Sequence, residues 1–155
     1  MPRIRYKTAR CVLYRPSRES NSTADAFEYL LAIHSSFWAK KIQRWGLPGG
    51  RVEWREDPVQ AALRELQEEL EIDISEFSVL GDYSYKRSMH KVICAPWDRD
   101  IDTFDKQELL DVRWFNQTQI TKLSQDGLLH ASYEVDAVER LASRLAANRN
   151  ASRSY

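Results

Sequence analysis

The sequence predicts a single α/β domain, a mixed β-sheet with helices on both sides. Three observations carry the prediction. Short apolar stretches separated by polar turns read as strands, one strongly amphipathic helix opens at Asp57, and a second helical periodicity closes the chain. An all-helical or all-β plan does not fit that order. The length of 155 residues suits one domain, 1–155, around a single core.

In order, Thr8 to Arg15 carries Cys11, Val12, Leu13 and Tyr14 and reads as a strand. Pro16 to Asp25 is a polar loop, long for a hairpin connection. Phe27 to Ile33 reads as a second strand, pairing back on the first. Trp45 to Gly50 turns sharply, and Val52 to Trp54 resumes extended structure. Asp57 then serves as N-cap, Pro58 takes the first helical position and Gln60 can complete a capping box. Val59, Leu63, Leu66 and Leu70 form one apolar stripe that faces the core. Phe77 to Lys86 and Lys91 to Ala95 look like strands, followed by an acidic loop from Asp98 to Glu108 and a strand from Leu109 to Phe115. Gln117 to Leu123 is a short helix. Ser132 to Ala147 has Val135, Val138, Leu141 and Leu145 at helical spacing, and Asn148 to Tyr155 is expected to fray.

Composition excludes several classes. Lys plus Arg equal Asp plus Glu at 23 each, so no global field recruits long nucleic acid or a membrane surface. No stretch approaches the roughly 20 apolar residues of a membrane-spanning helix. The charged start, Met1 to Tyr6, has no apolar run of the kind a signal peptide needs. Cys11 and Cys94 each lie within an apolar stretch and read as buried free thiols rather than a disulfide. A reducing, cytoplasmic location is the expectation.

The helix after Asp57 is unusual in its charges. Glu53, Glu56, Asp57, Glu65, Glu68, Glu69 and Glu71 stand against Arg55 and Arg64 alone. On a helical wheel Glu65, Glu68 and Glu69 fall on one side, roughly opposite the leucines, with no cation beside them. Like charges at these spacings destabilise a helix by a few tenths of a kcal/mol per pair. A solvated acidic face is the ordinary explanation. Converging carboxylates are also a good site for hard divalent ions, which prefer oxygen ligands.

Taken as a unit, Gly50 to Ile72 is GRVEWREDPVQAALRELQEELEI. It resembles the Nudix box, G-x5-E-x7-R-E-U-x-E-E-x-G-U with U a bulky aliphatic residue, and Leu47-Pro48-Gly49-Gly50 resembles the usual lead-in. Gly50, Glu56, Arg64, Glu65, Leu66, Glu68, Glu69 and Ile72 match. Glu71 departs, standing where the family has Gly. That Gly helps the chain leave the helix through a left-handed residue, so an altered exit with intact chemistry is expected.

The resemblance implies a Nudix-type α/β/α sandwich that hydrolyses a phosphoanhydride bond in a nucleoside diphosphate-linked substrate with Mg²⁺ or Mn²⁺. It implies Glu65, Glu68 and Glu69 as metal ligands, Glu65 alternatively acting as base toward water, and Arg64 orienting carboxylates. Glu65, Arg64 and Glu68 are thus the expected catalytic residues. Gly50, Arg51 and Glu56 are expected toward the substrate, with Glu56 also supporting the metal shell. Arg51, like Arg44 and Lys86, is otherwise a solvated charge.

Relatives often add a carboxylate from outside the box. Glu108, six positions ahead of Trp114, is the candidate, with Asp102 and Asp105 as rivals. Trp45, Tyr83, Tyr85 and Trp97 are candidates to stack on a base, or packing residues. His34, His90 and His130 lack zinc-ligand spacing.

Two substrate readings stay open, a MutT-type reaction on noncanonical or oxidised nucleoside triphosphates and the hydrolysis of nucleotide sugars. The Tyr that the dinucleotide-polyphosphate branch often carries is missing at Ser88, Met89 and His90. The Pro of the ADP-ribose branch is missing at Arg87. No coenzyme A or NADH signature stands out. The alternative class is a catalytically silent Nudix-fold module that senses a nucleotide; such modules usually lose box glutamates. The partner expected is a small nucleotide, with monomer and homodimer both open.

Overall fold

The computed structural model describes residues 4–18, 25–35 and 43–152. The expected loop at 16–25 and the extreme termini fall partly outside them. In chain order the elements are β1 (Tyr6–Pro16), β2 (Phe27–His34), β3 (Gly49–Arg51), α1 (Pro58–Leu70), β4 (Ser78–Tyr85), β5 (Ser88–Pro96), β6 (Leu109–Asn116), α2 (Gln117–Gln125) and α3 (Tyr133–Ser152). The sheet runs β4-β5-β1-β2-β6, with β3 also on β1. Among the described strands, β1 and β5 alone pair in parallel and the other pairs are antiparallel, so the sheet is mixed as expected. No described helix is long and apolar enough to cross a membrane.

Strand alternation builds the two cores. Ala9, Cys11 and Leu13 of β1, Leu30 and Ala32 of β2, and Ile93 and Ala95 of β5 face α1, meeting Ala61, Ala62, Leu66 and Leu70. Val12, Tyr29, Leu31, Val92 and Cys94 point the other way, toward Ile120 of α2 and Ala137, Val138 and Leu141 of α3. The result is a three-layer α/β/α sandwich. Cys11 and Cys94 belong to opposite faces of the sheet, and both are buried free thiols.

Four sequence expectations need correction. The extended stretch after the sharp turn is Gly49–Arg51, not Val52–Trp54. Pairing with Thr8–Arg10 ends at Arg51, and Trp54–Arg55 form a turn. The Asp57 carboxylate accepts from both Val59 and Gln60 N–H groups, while the reciprocal Gln60 bond is not made. The last helix, expected to end at Ala147, continues to Ser152, and residues 153–155 lie outside the described residues.

Fourth, Glu71 does not alter the helix exit. It adopts φ 57°, ψ 36°, the left-handed conformation a Gly would supply, and its N–H donates to Gln67 O. The conformation costs an L-residue about 1–2 kcal/mol. The Thr103 hydroxyl donates to Glu71 Oε2 at 2.7 Å and offsets part of that.

The acidic helix owes its position to its apolar face. Leu66 is fully buried in the α1-side core. Leu66→Ala is expected to lower unfolding stability by about 3 kcal/mol, through lost transfer energy and a residual cavity. Urea titration followed by far-UV circular dichroism checks this; an unshifted midpoint would mean that α1 is not held by this face.

Candidate active site

The turn before α1 and the helix itself meet through two glycines. Gly49 has φ +140°, and a side chain there would run into the Ala9 and Arg10 backbone. Its N–H donates to Glu69 Oε1 at 2.9 Å. At Gly50 a Cβ would lie 2.5 Å from Glu65 Cδ and 2.6–2.7 Å from both carboxylate oxygens. A hydrogen is all that fits. The short β3–β1 pairing therefore sets Gly49 against Glu69 and Gly50 against Glu65.

Arg64 organises the next layer. Its Nε donates to Glu56 Oε2 at 2.8 Å and its Nη2 to Glu56 Oε1 at 3.0 Å, a two-pronged pair. Nη1 reaches Glu65 Oε1 at 3.1 Å and Glu68 Oε2 at 3.2 Å, and Nη2 also donates to Arg51 O at 3.1 Å. The Arg64 hydrogen bonds hold the Glu56 carboxyl below its ordinary range. Glu65 goes the other way: burial raises its pKa first, and the neighbouring Glu69 charge adds to it.

These contacts change the picture drawn from the helical wheel. A cation does stand beside the carboxylates, because Arg64 folds back over Glu65 and Glu68. Glu69 is not on a solvent face; it is 2% exposed, with Oε2 3.2 Å from His34 Nδ1. The wheel places it opposite the leucines, but β2 and the turn before α1 close over that side. Glu56 is directed to Arg64, outside the cavity described next.

That cavity has a volume of about 540 Å³. Glu65, Glu69 and Glu108 line it with carboxylates, and Gly50 and Arg51 also face it. Lys7, Arg10 and Lys86 add positive charge, and Tyr85, His90 and Tyr133 supply rings. The His90 and Tyr133 rings stack at 5.2 Å between centroids, and His90 Nδ1 lies 2.6 Å from the Thr8 hydroxyl oxygen.

The other candidates disperse. Asp105 accepts from Gln107 N–H, and neither it nor Asp102 lines the cavity. Trp45 packs edge-on against Phe115, Tyr83 stacks on Tyr133, and Trp97 packs in the α1-side core. Arg44 donates to Gly127 O.

The donor set suits a hard divalent cation in its chemistry. Three box glutamates are adjacent, and the mutual repulsion of Glu65 and Glu69 is what a cation would relieve. Among the described residues, no three His, Cys, Asp or Glu side chains converge as a ready-made ligand set. The reason is visible in the contacts: Glu65 and Glu68 oxygens are turned to Arg64, and those of Glu69 to Gly49 and His34. Ligation therefore calls for Glu65 and Glu68 to rotate away from Arg64, which keeps Glu56, while Glu69, whose oxygens each retain a second lone pair, can ligate in place.

Sequence reasoning missed Arg10, Thr8, Tyr133 and Glu134. A signal existed for Arg10, a charge in an otherwise apolar strand, on the face shared with Val12. Its Nη1 donates to Gly49 O at 2.9 Å, steadying the same turn that caps Glu69. Glu134 is 2% exposed and accepts from Ala131 N–H at 2.7 Å. Burial pushes its carboxyl up to about 8, with the Ala131 N–H and the Arg10 charge opposing.

Comparison with known proteins gives a consistent result. A family model described as NUDIX domain matches residues 6–134. An 8-oxo-dGTP diphosphatase of Proteus vulgaris is 53% identical over 41 residues, 26% of this chain and 37% of that protein. A nucleoside triphosphate pyrophosphatase/Nudix hydrolase fusion protein of Bifidobacterium longum is 38% identical over 55 residues, 36% of this chain and 11% of that protein. Both matches thus span well under half of the curated relatives' length. The crystal structure of a mutT/nudix family protein from Listeria innocua superposes with a TM-score of 0.68 at 20% identity, covering 95% of this chain and 98% of that one. At that identity the likeness is one of fold.

Two expected outcomes follow from the geometry. Gly50→Ala displaces the Glu65 carboxylate, so ligand affinity or turnover should fall at least about tenfold. The melting temperature should move far less than in Leu66→Ala; equal activity in Gly50→Ala would show the contact to be dispensable. For Glu134, the folded chain holds the proton more tightly than the unfolded chain, whose carboxyl titrates near 4.5. Its contribution is complete below the unfolded value and lost as pH rises toward about 8. Between those limits the slope reaches about 1.4 kcal/mol per pH unit. Melting scans should therefore show Glu134→Gln gaining on the parent chain from pH 5 to pH 8, and a constant gap would refute the assignment.

Proposed function

The chain belongs to the NUDIX domain family, and from that premise we propose that it is a divalent-metal-dependent hydrolase cutting a phosphoanhydride bond in a nucleotide-linked substrate. One observation carries the reading most directly: Glu65 and Glu69 line the same cavity as Lys7, Arg10, Arg51 and Lys86. Carboxylates to hold cations and cations to meet phosphates thus share one concave space, as a diphosphate substrate requires.

Glu65, Glu68 and Glu69 would hold Mg²⁺ or Mn²⁺, with Glu108 as the carboxylate contributed from outside the helix. A bound divalent ion neutralises diphosphate charge and lowers the pKa of bound water. The chain's own residues do the rest. Glu69 is locked by Gly49 and His34, so its carboxylate is preorganised and loses little freedom on binding. Glu65, half-buried and raised above an ordinary carboxyl, is suited to take a proton from an attacking water. Arg64, anchored on Glu56, orients Glu65 and Glu68 and does not line the cavity. Tyr85, His90 and Tyr133 offer an aromatic wall for a nucleoside.

The relative acting on 8-oxo-dGTP supports a nucleoside triphosphate as the first class to try, and nucleotide sugars as the second. A panel including 8-oxo-dGTP, the ordinary nucleoside triphosphates, nucleotide sugars and dinucleoside polyphosphates, with and without Mg²⁺, is resolved by ion-exchange chromatography. Metal-dependent cleavage of at least one member is expected, and Glu69→Gln should lower kcat/KM by at least about a hundredfold. Nucleotide binding without any product would replace this reading with that of a binding module.

A further inference from the structure

A second groove lies beside the cavity. Lys7 lines both, and the groove, about 500 Å³ in volume, is walled by Arg5 and Arg87 as well. Lys86, next to Arg87 in the chain, and Arg51 face the cavity. Among the described residues, none of these five cations takes part in an ion pair with a carboxylate. The nearby acid, Asp82, is engaged by Lys91 Nζ at 2.7 Å and by the Tyr6 hydroxyl at 2.8 Å. The cavity that Lys86 and Arg51 face also holds Glu65, Glu69 and Glu108, whereas the groove is lined by Arg5, Lys7 and Arg87 with no carboxylate among its lining residues, so the excess of positive charge belongs to the groove.

A second observation is independent of charge. Lys86 and Arg87 have φ 48° and 65° and form the two-residue turn that pairs Tyr85 with Ser88. Such a turn favours Asn and Gly, because both central residues are left-handed. Here the backbone holds two long cationic side chains at positions that disfavour them. Strain of this kind collects where a site keeps it.

We propose that the groove of Arg5, Lys7 and Arg87 is a second anion subsite, and that it holds a phosphate on the part of the substrate remote from the bond that is cut. The inference rests on the hydrolase reading only for where that bond lies. Two arginines and a lysine face the groove, and three cations suit the near-dianionic charge of a phosphate better than the single charge of a carboxylate. Arginine meets phosphate oxygens through paired N–H donors. Lys7 borders both spaces, so a ligand whose cut bond lies in the cavity reaches the groove by passing this one side chain. Within the nucleotide-linked substrates proposed above, the class is then one with a second phosphate on the part remote from the bond that is cut.

Calorimetric titration tests this with AMP, adenosine 2′,5′-bisphosphate and adenosine 3′,5′-bisphosphate. None of these contains a phosphoanhydride, so binding is read without turnover, and a failure of hydrolysis in the panel above leaves this result standing. At low salt at least one bisphosphate should bind about tenfold more tightly than AMP, with the advantage shrinking at high salt. In the double variant Arg5→Gln/Arg87→Asn the advantage should vanish while AMP affinity stays the same; Asn is compatible with the left-handed backbone at 87. Equal binding of all three nucleotides, or a preference that survives in the double variant, would overturn the proposal. Inorganic phosphate is titrated alone to separate the sources. Tight binding of the free ion, lost in the double variant and without any preference for a bisphosphate, would overturn the assignment to substrate.

Discussion

Glu69 is buried, yet both of its oxygens are occupied: Oε1 by the Gly49 N–H at 2.9 Å and Oε2 facing His34 Nδ1 at 3.2 Å. A carboxylate removed from water must find such partners, because leaving it unpaired is expensive. The two contacts join three separate pieces of chain: the turn before α1, the helix and the end of β2. Once they are made, α1 has one position along the sheet. Gly50 then falls against Glu65, Arg64 falls between Glu56 and Glu68, and Glu65 and Glu69 face a common cavity. Arg10, donating from β1 to the Gly49 carbonyl, braces the turn from the opposite side.

The sheet holds that arrangement in place and also brings Lys7 and Arg10 of β1, Tyr85 of β4 and His90 of β5 to the cavity. Because successive strand residues alternate between faces, β1 delivers Cys11 and Leu13 to α1 and Val12 to the α2/α3 side. Thr8 and Arg10 lie on the Val12 face, near the start of the strand, where apolar packing gives way to the polar cavity. Among the described residues, four non-glycine residues take positive φ: Arg55, Glu71, Lys86 and Arg87. Arg55 and Glu71 bracket α1, and the other two close the β4–β5 hairpin beside the cavity. Strain is thus concentrated at the ends of elements that shape the site, while the cores stay regular.

The fold was largely legible in the chain. The Leu66 and Leu70 periodicity and the Asp57-Pro58 start fixed α1, since they depend on neighbours within one or two turns. The strands were found for the same reason, although β3 lay three residues earlier than its composition suggested. Only its pairing with Thr8–Arg10 defines it. Glu71 shows the limit of a rule based on residue preference. A Gly is favoured in a left-handed exit, but tertiary contacts, including Thr103, hold a Glu in the same conformation.

The candidate site was legible only where spacing alone carries the chemistry. By itself the sequence determined that Glu56, Arg64, Glu65, Glu68 and Glu69 recur on one loop and helix, because that pattern is local and a helix converts spacing into direction. Tertiary structure alone decided that Glu69 is buried against His34 and that Arg64 covers two of the carboxylates. It also decided that Lys7, Arg10, Glu108 and Tyr133, distant in sequence, enclose the same space. Those contacts form between segments whose separation along the chain says nothing about their approach. They are set by which faces the strands must bury and by the need to satisfy every polar group that burial removes from water.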